Sequence, residues 1–192
     1  MFQVRLHGRG GQGTVTAAEL LSVAAFYEGQ FAQAFPSFGS ERMGAPVMAF
    51  CRIDRARIRL REPVVEPDAV LIQDATLLHS VEVFQGLREG GYVLVNTGKR
   101  LAELGLEDLV ARLPREHVQT VAATEIALRH TGKPVPNAGL LGAFSALTGI
   151  VNLSSLEEAL RSRFQPQVAD ANVAAARAAH ASLTSSSEAA RC

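Results

Sequence analysis

The chain has 192 residues and a mass of 20.5 kDa, which predicts a single domain with a sizeable core. Its 19 Lys and Arg residues balance its 19 Asp and Glu residues, so no net charge draws it to nucleic acid or to anionic lipid. Its two cysteines are too few for a [4Fe–4S] cluster or a Cys₄ zinc site, each of which needs about four thiolates.

The histidines and the apolar segments narrow the class of protein further. The longest strongly apolar stretch, Leu140 to Val151, is too short and too rich in glycine to span a bilayer. The N-terminus lacks the basic and apolar regions of a signal peptide, so we expect a soluble cytoplasmic protein. The histidines are scattered without the spacing of metal ligands: His7, His79, His117, His130 and His180. We therefore expect no metal on this chain, and any redox centre to come from a partner.

The first strand, turn and helix form a recognisable unit. Apolar residues at Phe2, Val4 and Leu6 alternate with polar ones, which predicts a strand with one buried face. Apolar residues at positions 17, 20, 21, 24 and 25 predict an amphipathic helix after it. Between the two lies a glycine-rich segment, called the glycine turn below: Gly8, Arg9, Gly10, Gly11, Gln12 and Gly13.

The next segment predicts a loop followed by an antiparallel hairpin. The apolar run from Phe31 to Phe35 is halted by Pro36, and the prolines and glycines from Pro36 to Pro46 predict a loop. Val47 to Ile53 predicts a strand, and Ala56 to Leu60 its antiparallel return. Arginines at alternate positions would line one face of that return strand: Arg55, Arg57, Arg59 and Arg61.

Buried strands and helices alternate through the rest of the chain. Asp68 to Gln73 and Tyr92 to Val95 have the near-continuous apolar character of central parallel strands, and Val118 to Ala122 predicts a last strand. Helices are predicted from Leu77 to Glu89, from Gly105 to Leu113, and from Thr124 onward with breaks at 132–136 and 165–167.

This order of elements predicts an α/β fold. We expect a Rossmann-like open, mostly parallel sheet with helices on both faces, an antiparallel hairpin excursion and a helical C-terminal third. Residues 1–183 are expected to form one α/β domain and residues 184–192 a flexible tail. Ligands on such sheets bind at the carboxyl ends of the strands, which is where the glycine turn falls.

The glycine turn has two interpretations. Gly8, Gly10 and Gly13 satisfy G-x-G-x-x-G between a strand and a helix, which is typical of a backbone that approaches a phosphate. However, the second strand ends without the acidic residue that binds a ribose, and no P-loop lysine follows. Glycines that serve only a tight turn and close helix packing are the favoured interpretation, and a phosphate or CoA contact is the alternative.

Charged residues at three other places also leave alternatives open. Glu41 and Arg42 have three interpretations: a catalytic or substrate-positioning pair, a solvated ion pair, or part of a subunit interface or active-site loop. Phe38 and Met43 beside them favour the last of these. The arginine face protects a sheet edge or, less favoured, meets an acidic partner or a polyphosphate. Asp74 either caps the helix after it, which we favour, or belongs to a site. No catalytic residue is assigned.

With these residues in view, the chain resembles the gamma subunit of pyruvate:ferredoxin oxidoreductase and its 2-oxoacid relatives. The resemblance spans about residue 2 to residue 180, and the loop stretch is its most specific part. Four stretches carry it: the glycine turn with its Ala-rich helix, Phe35 to Val47, Pro67 to Val70, and Asn137 to Gly142 running into Leu156 to Leu160.

The resemblance implies a division of labour that suits a chain with two cysteines. Thiamine diphosphate, Mg²⁺ and the [4Fe–4S] clusters are expected on alpha, beta and ferredoxin-like delta subunits or their fused equivalents. The complex would oxidatively decarboxylate a 2-oxoacid, pass electrons to ferredoxin and transfer the acyl group to CoA. The form of the loop stretch resembles that of pyruvate-type gamma chains, so pyruvate is the expected 2-oxoacid. The isolated chain is expected to be inactive. The alternatives are a free-standing NAD- or FAD-binding oxidoreductase and a purely structural assembly subunit.

Overall fold

The computed structural model describes residues 1–37 and 43–189, with side chains described as far as residue 185. Six strands form one sheet in the order β2-β3-β1-β4-β5-β6. The strands are β1 (Phe2–Arg9), β2 (Phe31–Pro36), β3 (Pro46–Asp54), β4 (Ala69–Ile72), β5 (Tyr92–Asn96) and β6 (Val118–Val121). The helices are α1 (Thr14–Tyr27), α2 (Glu107–Val110), α3 (Ala123–Thr131), α4 (Asn137–Thr148), α5 (Leu153–Arg163) and α6 (Pro166–Ala189).

The sheet is mostly parallel, and the predicted α/β fold is confirmed. β1, β4, β5 and β6 pair in parallel, each with the next. β3 runs antiparallel to both of its neighbours, β1 and β2, so β2 points the same way as the other strands. The carboxyl ends of β1 and β4 therefore meet at one edge, and the glycine turn leaves the sheet there.

The antiparallel part of the sheet differs from the predicted hairpin. We expected Val47 to Ile53 to pair with a return strand from Ala56 to Leu60. Instead β3 lies between β1 and β2, so both of its hydrogen-bonding edges are already occupied and a return strand has no edge to join. Residues 55–63 have no regular structure, and the arginine face is exposed coil rather than a strand: Arg55, Arg57, Arg59 and Arg61.

The predicted helix from Leu77 to Glu89 is also wrong. Only a 3₁₀ turn forms, from Ala75 to His79, and turns follow it. Gly86 has φ +73°, and a Cβ there would lie 2.2 Å from the carbonyl oxygen of Val65. The carbonyls of Val83 and Gln85 accept hydrogen bonds from the guanidinium of Arg5. They are therefore occupied by tertiary contacts and do not accept the backbone N–H groups of a helix.

The helical C-terminal third is confirmed, with a further break between α4 and α5. Gly149 ends α4 in the left-handed conformation, at φ +61°. α4 and α6 cross closely, since a Cβ on Gly142 would lie 2.1 Å from the carbonyl oxygen of Ala176. α6 continues to Ala189 and so includes the first residues of the expected tail; the domain boundary at residue 183 stays a prediction. Within the described ranges, no helix is both long and apolar enough to cross a membrane.

Candidate functional site

The glycine turn needs its glycines for packing. A Cβ on Gly8 would lie 2.2 Å from Thr14 Oγ1 and 2.6 Å from Gln73 Oε1. Gly11 and Gly13 have φ of +94° and +74°, a region that L-residues with side chains rarely adopt. The turn can therefore hold its shape only with glycine at these positions. Whether it also contacts a ligand stays a prediction.

Asp74 fastens the glycine turn to the end of β4. Its Oδ2 accepts hydrogen bonds from Gln12 Nε2 at 2.9 Å and from Arg9 Nε at 3.2 Å. Its Oδ1 accepts from the backbone N–H of Thr76 at 3.0 Å, so the predicted helix cap is present, on a 3₁₀ turn. Burial acts to raise the pKa of Asp74, but hydrogen bonds from Thr76 and Gln12 and the charge of Arg9 hold it below its ordinary value. The carboxylate is a structural anchor of the turn.

Gln73 is a residue of this region that the sequence did not point out. Its side chain is 1% exposed, and its Oε1 accepts a 2.6 Å hydrogen bond from Thr14 Oγ1 beneath the turn. The backbone N–H of Gln73 also donates to the carbonyl of His7. These bonds join the end of β4 to the start of α1. A glutamine at the end of an apolar strand was the only available signal.

The end of the Pro36–Pro46 loop lies against the glycine turn. The N–H of Gly10 donates to the carbonyl of Ala45 at 2.9 Å, and the N–H of Gly44 donates to the carbonyl of Gly10 at 3.2 Å. Met43 is 90% exposed, and its Sδ would lie 3.2 Å from a Cβ on Gly11. The structure thus brings two of the predicted site segments together. The other predicted loop residues lie outside the described residues: Phe38, Glu41 and Arg42.

A cleft of about 420 Å³ opens on the other side of the glycine turn; we call it the α1–α4 cleft. Its walls come from the first turn of α1, the segment joining α3 to α4, and the segment joining α5 to α6. No Asp or Glu stands among its lining residues in the described part of the chain. They are Gly11, Gly13, Thr16, His130, Thr131, Lys133, Val135, Asn137, Arg163, Phe164, Gln167, Val168, Ala171 and Asn172. Sequence reasoning missed this cleft because its residues come from distant segments.

The described residues offer few side chains suited to redox chemistry or to metal binding. Cys51 is a free thiol fully buried in β3, and burial raises its pKa, so the reactive thiolate is disfavoured. Cys192 lies outside the described residues. In the part of the chain that the structure describes, no three His, Cys, Asp or Glu side chains come close enough together to hold a metal ion.

The fold and these motifs match a known family over almost the whole chain. The family described as pyruvate ferredoxin/flavodoxin oxidoreductase matches residues 3–182. The chain belongs to this family. The pyruvate synthase subunit PorC of Methanocaldococcus jannaschii is 48% identical over 180 residues, which cover 94% of this chain and 96% of that protein. The pyruvate/ketoisovalerate oxidoreductases common subunit gamma of Thermococcus litoralis is 49% identical over 179 residues, covering 93% and 95%.

A solved structure agrees with these relatives. The crystal structure of the pyruvate oxidoreductase subunit PORC from Thermotoga maritima superimposes with a TM-score of 0.79 at 38% identity, covering 94% of this chain and 95% of that chain. The predicted function, a gamma subunit of a 2-oxoacid:ferredoxin oxidoreductase, is confirmed, and the chain is therefore a subunit of an oxidoreductase enzyme. Other subunits of the complex are its partners. The alternative of a free-standing NAD- or FAD-dependent enzyme is not supported.

Proposed function

We propose that the chain assembles in the cytoplasm with alpha, beta and ferredoxin-like delta subunits, or with fused equivalents. In this assignment the partners carry thiamine diphosphate, Mg²⁺ and the [4Fe–4S] clusters. The complex oxidatively decarboxylates a 2-oxoacid, most directly pyruvate, gives its electrons to ferredoxin and transfers the acyl group to CoA. The gamma chain supplies structure and binding surface around that chemistry.

The observation that carries this proposal is the end-to-end match between the chain and separate gamma subunits. The correspondence covers 94% of this chain and 96% of the Methanocaldococcus jannaschii protein. The cysteine content supports the division of labour. The single described cysteine is a buried thiol, and two cysteines cannot ligate a cluster alone.

The choice of 2-oxoacid is assigned to the partners. A relative named as a gamma subunit common to pyruvate and ketoisovalerate oxidoreductases is 49% identical to this chain. One kind of gamma chain that serves two oxidoreductases supports selection of the substrate on other subunits. The gamma chain then contributes to assembly and to binding of what the two reactions share.

Two segments at the carboxyl end of the sheet are the proposed contacts. The glycine turn, Gly8 to Gly13, is proposed to meet a phosphate or CoA, because Gly13 leaves the first N–H groups of α1 without a side-chain cap. Phe38, Glu41, Arg42 and Met43 are proposed to meet a partner subunit near the active site. The exposure of Met43 beside the glycine turn supports that role, since a methionine 90% exposed gains stability when it is covered.

Co-purification tests the assembly, and activity assays test whether the partner subunits carry the catalytic cofactors. Purified alone, the chain is expected to show no turnover of pyruvate with CoA and a one-electron acceptor, and turnover by the single chain would contradict the proposal. Co-expressed with its partners, Phe38→Ala with Arg42→Ala should weaken association by about 2 kcal/mol or more, as loss of buried aromatic and Arg anchors does.

A matched double variant controls for loss of any exposed apolar and basic pair. Leu128→Ala with Arg129→Ala removes such a pair from α3, and Leu128 is 53% exposed. It should co-elute like the wild type. Equal assembly of both double variants would remove the loop from the interface. A large drop in the melting temperature of the free chain would instead show that the loop belongs to the core.

A further inference from the structure

β2 forms one edge of the sheet, and its outer side is open. Among the strands that the structure describes, it pairs with β3 alone. The N–H of Ser37 donates to the carbonyl of Met48, which continues the register of β2 with β3. Because hydrogen-bonded pairs alternate along an antiparallel ladder, the N–H and C=O groups of Ala32 and Ala34 point outward. These groups have no backbone partner within the described residues.

The open edge carries little of the usual protection against pairing with another chain. Edge strands are commonly protected by charged side chains, prolines or bulges, but β2 has no charged residue and has a proline only at its last position, Pro36. Exposed aromatic rings lie at its start and at the end of α1, just before it in the chain. Phe31 is 45% exposed and Phe26 69% exposed, and the ring of Tyr27 lies 6.3 Å from that of Phe26 between centroids. An uncharged edge bordered by exposed rings gains stability when it is covered.

β2 is complementary to a second copy of itself. A two-fold axis through Gln33, perpendicular to the sheet, sets Ala32 opposite Ala34 of the second copy, and Ala34 opposite Ala32 of that copy. Each of these pairs exchanges two N–H···O=C bonds, so donors meet acceptors and the outward groups of both alanines are satisfied. Phe31 then lies opposite Phe35 of the second copy on one face of the sheet, a cross-strand aromatic pair. Because β2 carries no charge, no like charges meet within the paired strands.

An independent observation comes from the side chain of Gln33. Its Oε1 is buried and accepts no hydrogen bond from any residue that the structure describes. At the two-fold axis Gln33 would face its own copy in a non-hydrogen-bonded pair, the kind of pair that brings side chains closest. Turned toward the axis, the two amides can donate to each other, and the turn breaks no hydrogen bond with a described residue. An unsatisfied amide at the point of symmetry favours a second copy over a strand of different sequence.

We propose that two copies of this chain join their β2 strands across a two-fold axis at Gln33, so that one sheet runs through both copies. The proposal goes beyond the assignment as a gamma subunit, because it brings two gamma chains, and the partners bound to each, into one assembly. β2 leads directly into the Pro36–Pro46 loop, so the contact between copies adjoins the surface proposed for the partner subunits. Self-association is measured on the chain without partners, so its failure and a failure of subunit assembly give separate results.

Sedimentation velocity of the purified full-length chain tests the proposal. We expect a monomer–dimer equilibrium with a dissociation constant below about 100 μM. Gln33→Glu sets two carboxylates opposite each other at the axis and should weaken the dimer by at least about tenfold at pH 7. Arg52 lies opposite Gln33 in the register with its Nη1 unpartnered in the described chain, so it can pair with the new carboxylate and the melting temperature should hold. Gln165→Glu adds the same charge at an exposed position between α5 and α6 and should change the constant by less than about twofold.

A second variant and hydrogen exchange locate the contact. Ala34→Pro removes an outward N–H, a change that edge strands tolerate, so the chain should stay folded while the dimer weakens by at least about tenfold. Exchange in residues 31–35 should slow as the protein concentration rises, whereas Val118–Val121 at the opposite edge of the sheet should not change. A chain that is monomeric above about 100 μM, or a dimer that both variants leave intact, would overturn the proposal. Protection of β2 only after the partner subunits are added would also overturn it and would assign this edge to a strand of theirs.

Discussion

The two faces of the sheet are held together by different interactions. On one face, side chains of β1, β3 and β4 pack against α1, α4, α5 and α6 in a continuous apolar core. On the other face, under β1 and β3, the ring of Phe50 is buried among side chains that are otherwise polar: Gln3, Arg5, His7 and Arg52. A separate, smaller apolar cluster covers β4, β5 and β6 on that second face. Regular helices cover one face, and turns and loops cover most of the other.

Buried arginines take the place of helices on the second face. Arg52 is 2% exposed and donates to the carbonyls of Glu62 and Pro63 and to Gln3 Oε1. Arg5 donates to the carbonyls of Val64 and Val83 at 3.5 Å and 3.0 Å, and to the carbonyl of Gln85. Irregular segments leave backbone carbonyls without partners, and a guanidinium with five donors can satisfy several of them at once.

The comparison shows that buried side chains can be stabilised either by apolar packing or by hydrogen bonds. The apolar face gains stability from the area that it removes from water, and its packing is shared among many residues. The polar face depends on a few hydrogen-bonded side chains, so the loss of one should free a specific segment. Three predictions separate these behaviours.

The largest effect is expected on the apolar face. Phe144 is fully buried in α4 and packs against the ring of Phe2 at 6.5 Å between centroids. Phe144→Ala should lower the free energy of unfolding by about 4 kcal/mol, because it leaves a cavity between the sheet and the helices. Denaturant unfolding measures the change. Leu128→Ala, at an exposed position of α3, is the control and should cost less than about 0.5 kcal/mol.

The second prediction concerns the removal of a buried arginine from the polar face. Arg5→Met keeps an unbranched side chain of similar length but leaves the carbonyls of Val64 and Val83 without their donor. We expect a loss of about 3 kcal/mol, and faster hydrogen exchange in residues 62–67 and 81–87 before the rest of the chain. Arg88→Met removes only exposed ion pairs to Asp68 and Glu66 and should cost about 1 kcal/mol or less. Uniform exchange throughout the Arg5 variant would contradict the contrast between the faces.

The smallest effect concerns pH. Burial, with the charge of Arg5 adding to it, lowers the pKa of His7 to about 4, and its Nε2 has no hydrogen-bond partner within the described residues. In the unfolded chain the pKa is about 6.5, so between these values the unfolded state binds the extra proton. Stability from this group is complete above about pH 6.5 and falls as the pH drops toward 4.

Unfolding at two pH values measures the contribution of His7. From pH 7 to pH 5 the folded state should lose about 2 kcal/mol through this histidine. His7→Gln removes the titration, so the variant should lose correspondingly less over the same interval. An equal loss of stability in the variant would assign the pH dependence to other titratable groups and would contradict the predicted contribution of His7.

The sequence by itself determined the elements whose signals are local. Alternation at Phe2, Val4 and Leu6 predicted β1, near-continuous apolar runs predicted β4 and β5, and periodic apolar residues predicted α1. The stretch from Phe35 to Val47, with the motifs around the glycine turn and Asn137, indicated the family. Each of these signals lies within a few residues along the chain, where the period of a strand or a helix is visible.

The tertiary structure decided what depends on distant partners. The segment after Ile53 could not form its predicted strand because β1 and β2 already flank β3. The segment after His79 gave its carbonyls to Arg5, a residue more than seventy positions earlier. The α1–α4 cleft joins His130, Asn137 and Arg163 to the glycine turn only after the helices pack. In all three cases the outcome depends on contacts between segments that are far apart in the sequence. A local sequence pattern does not reveal such contacts.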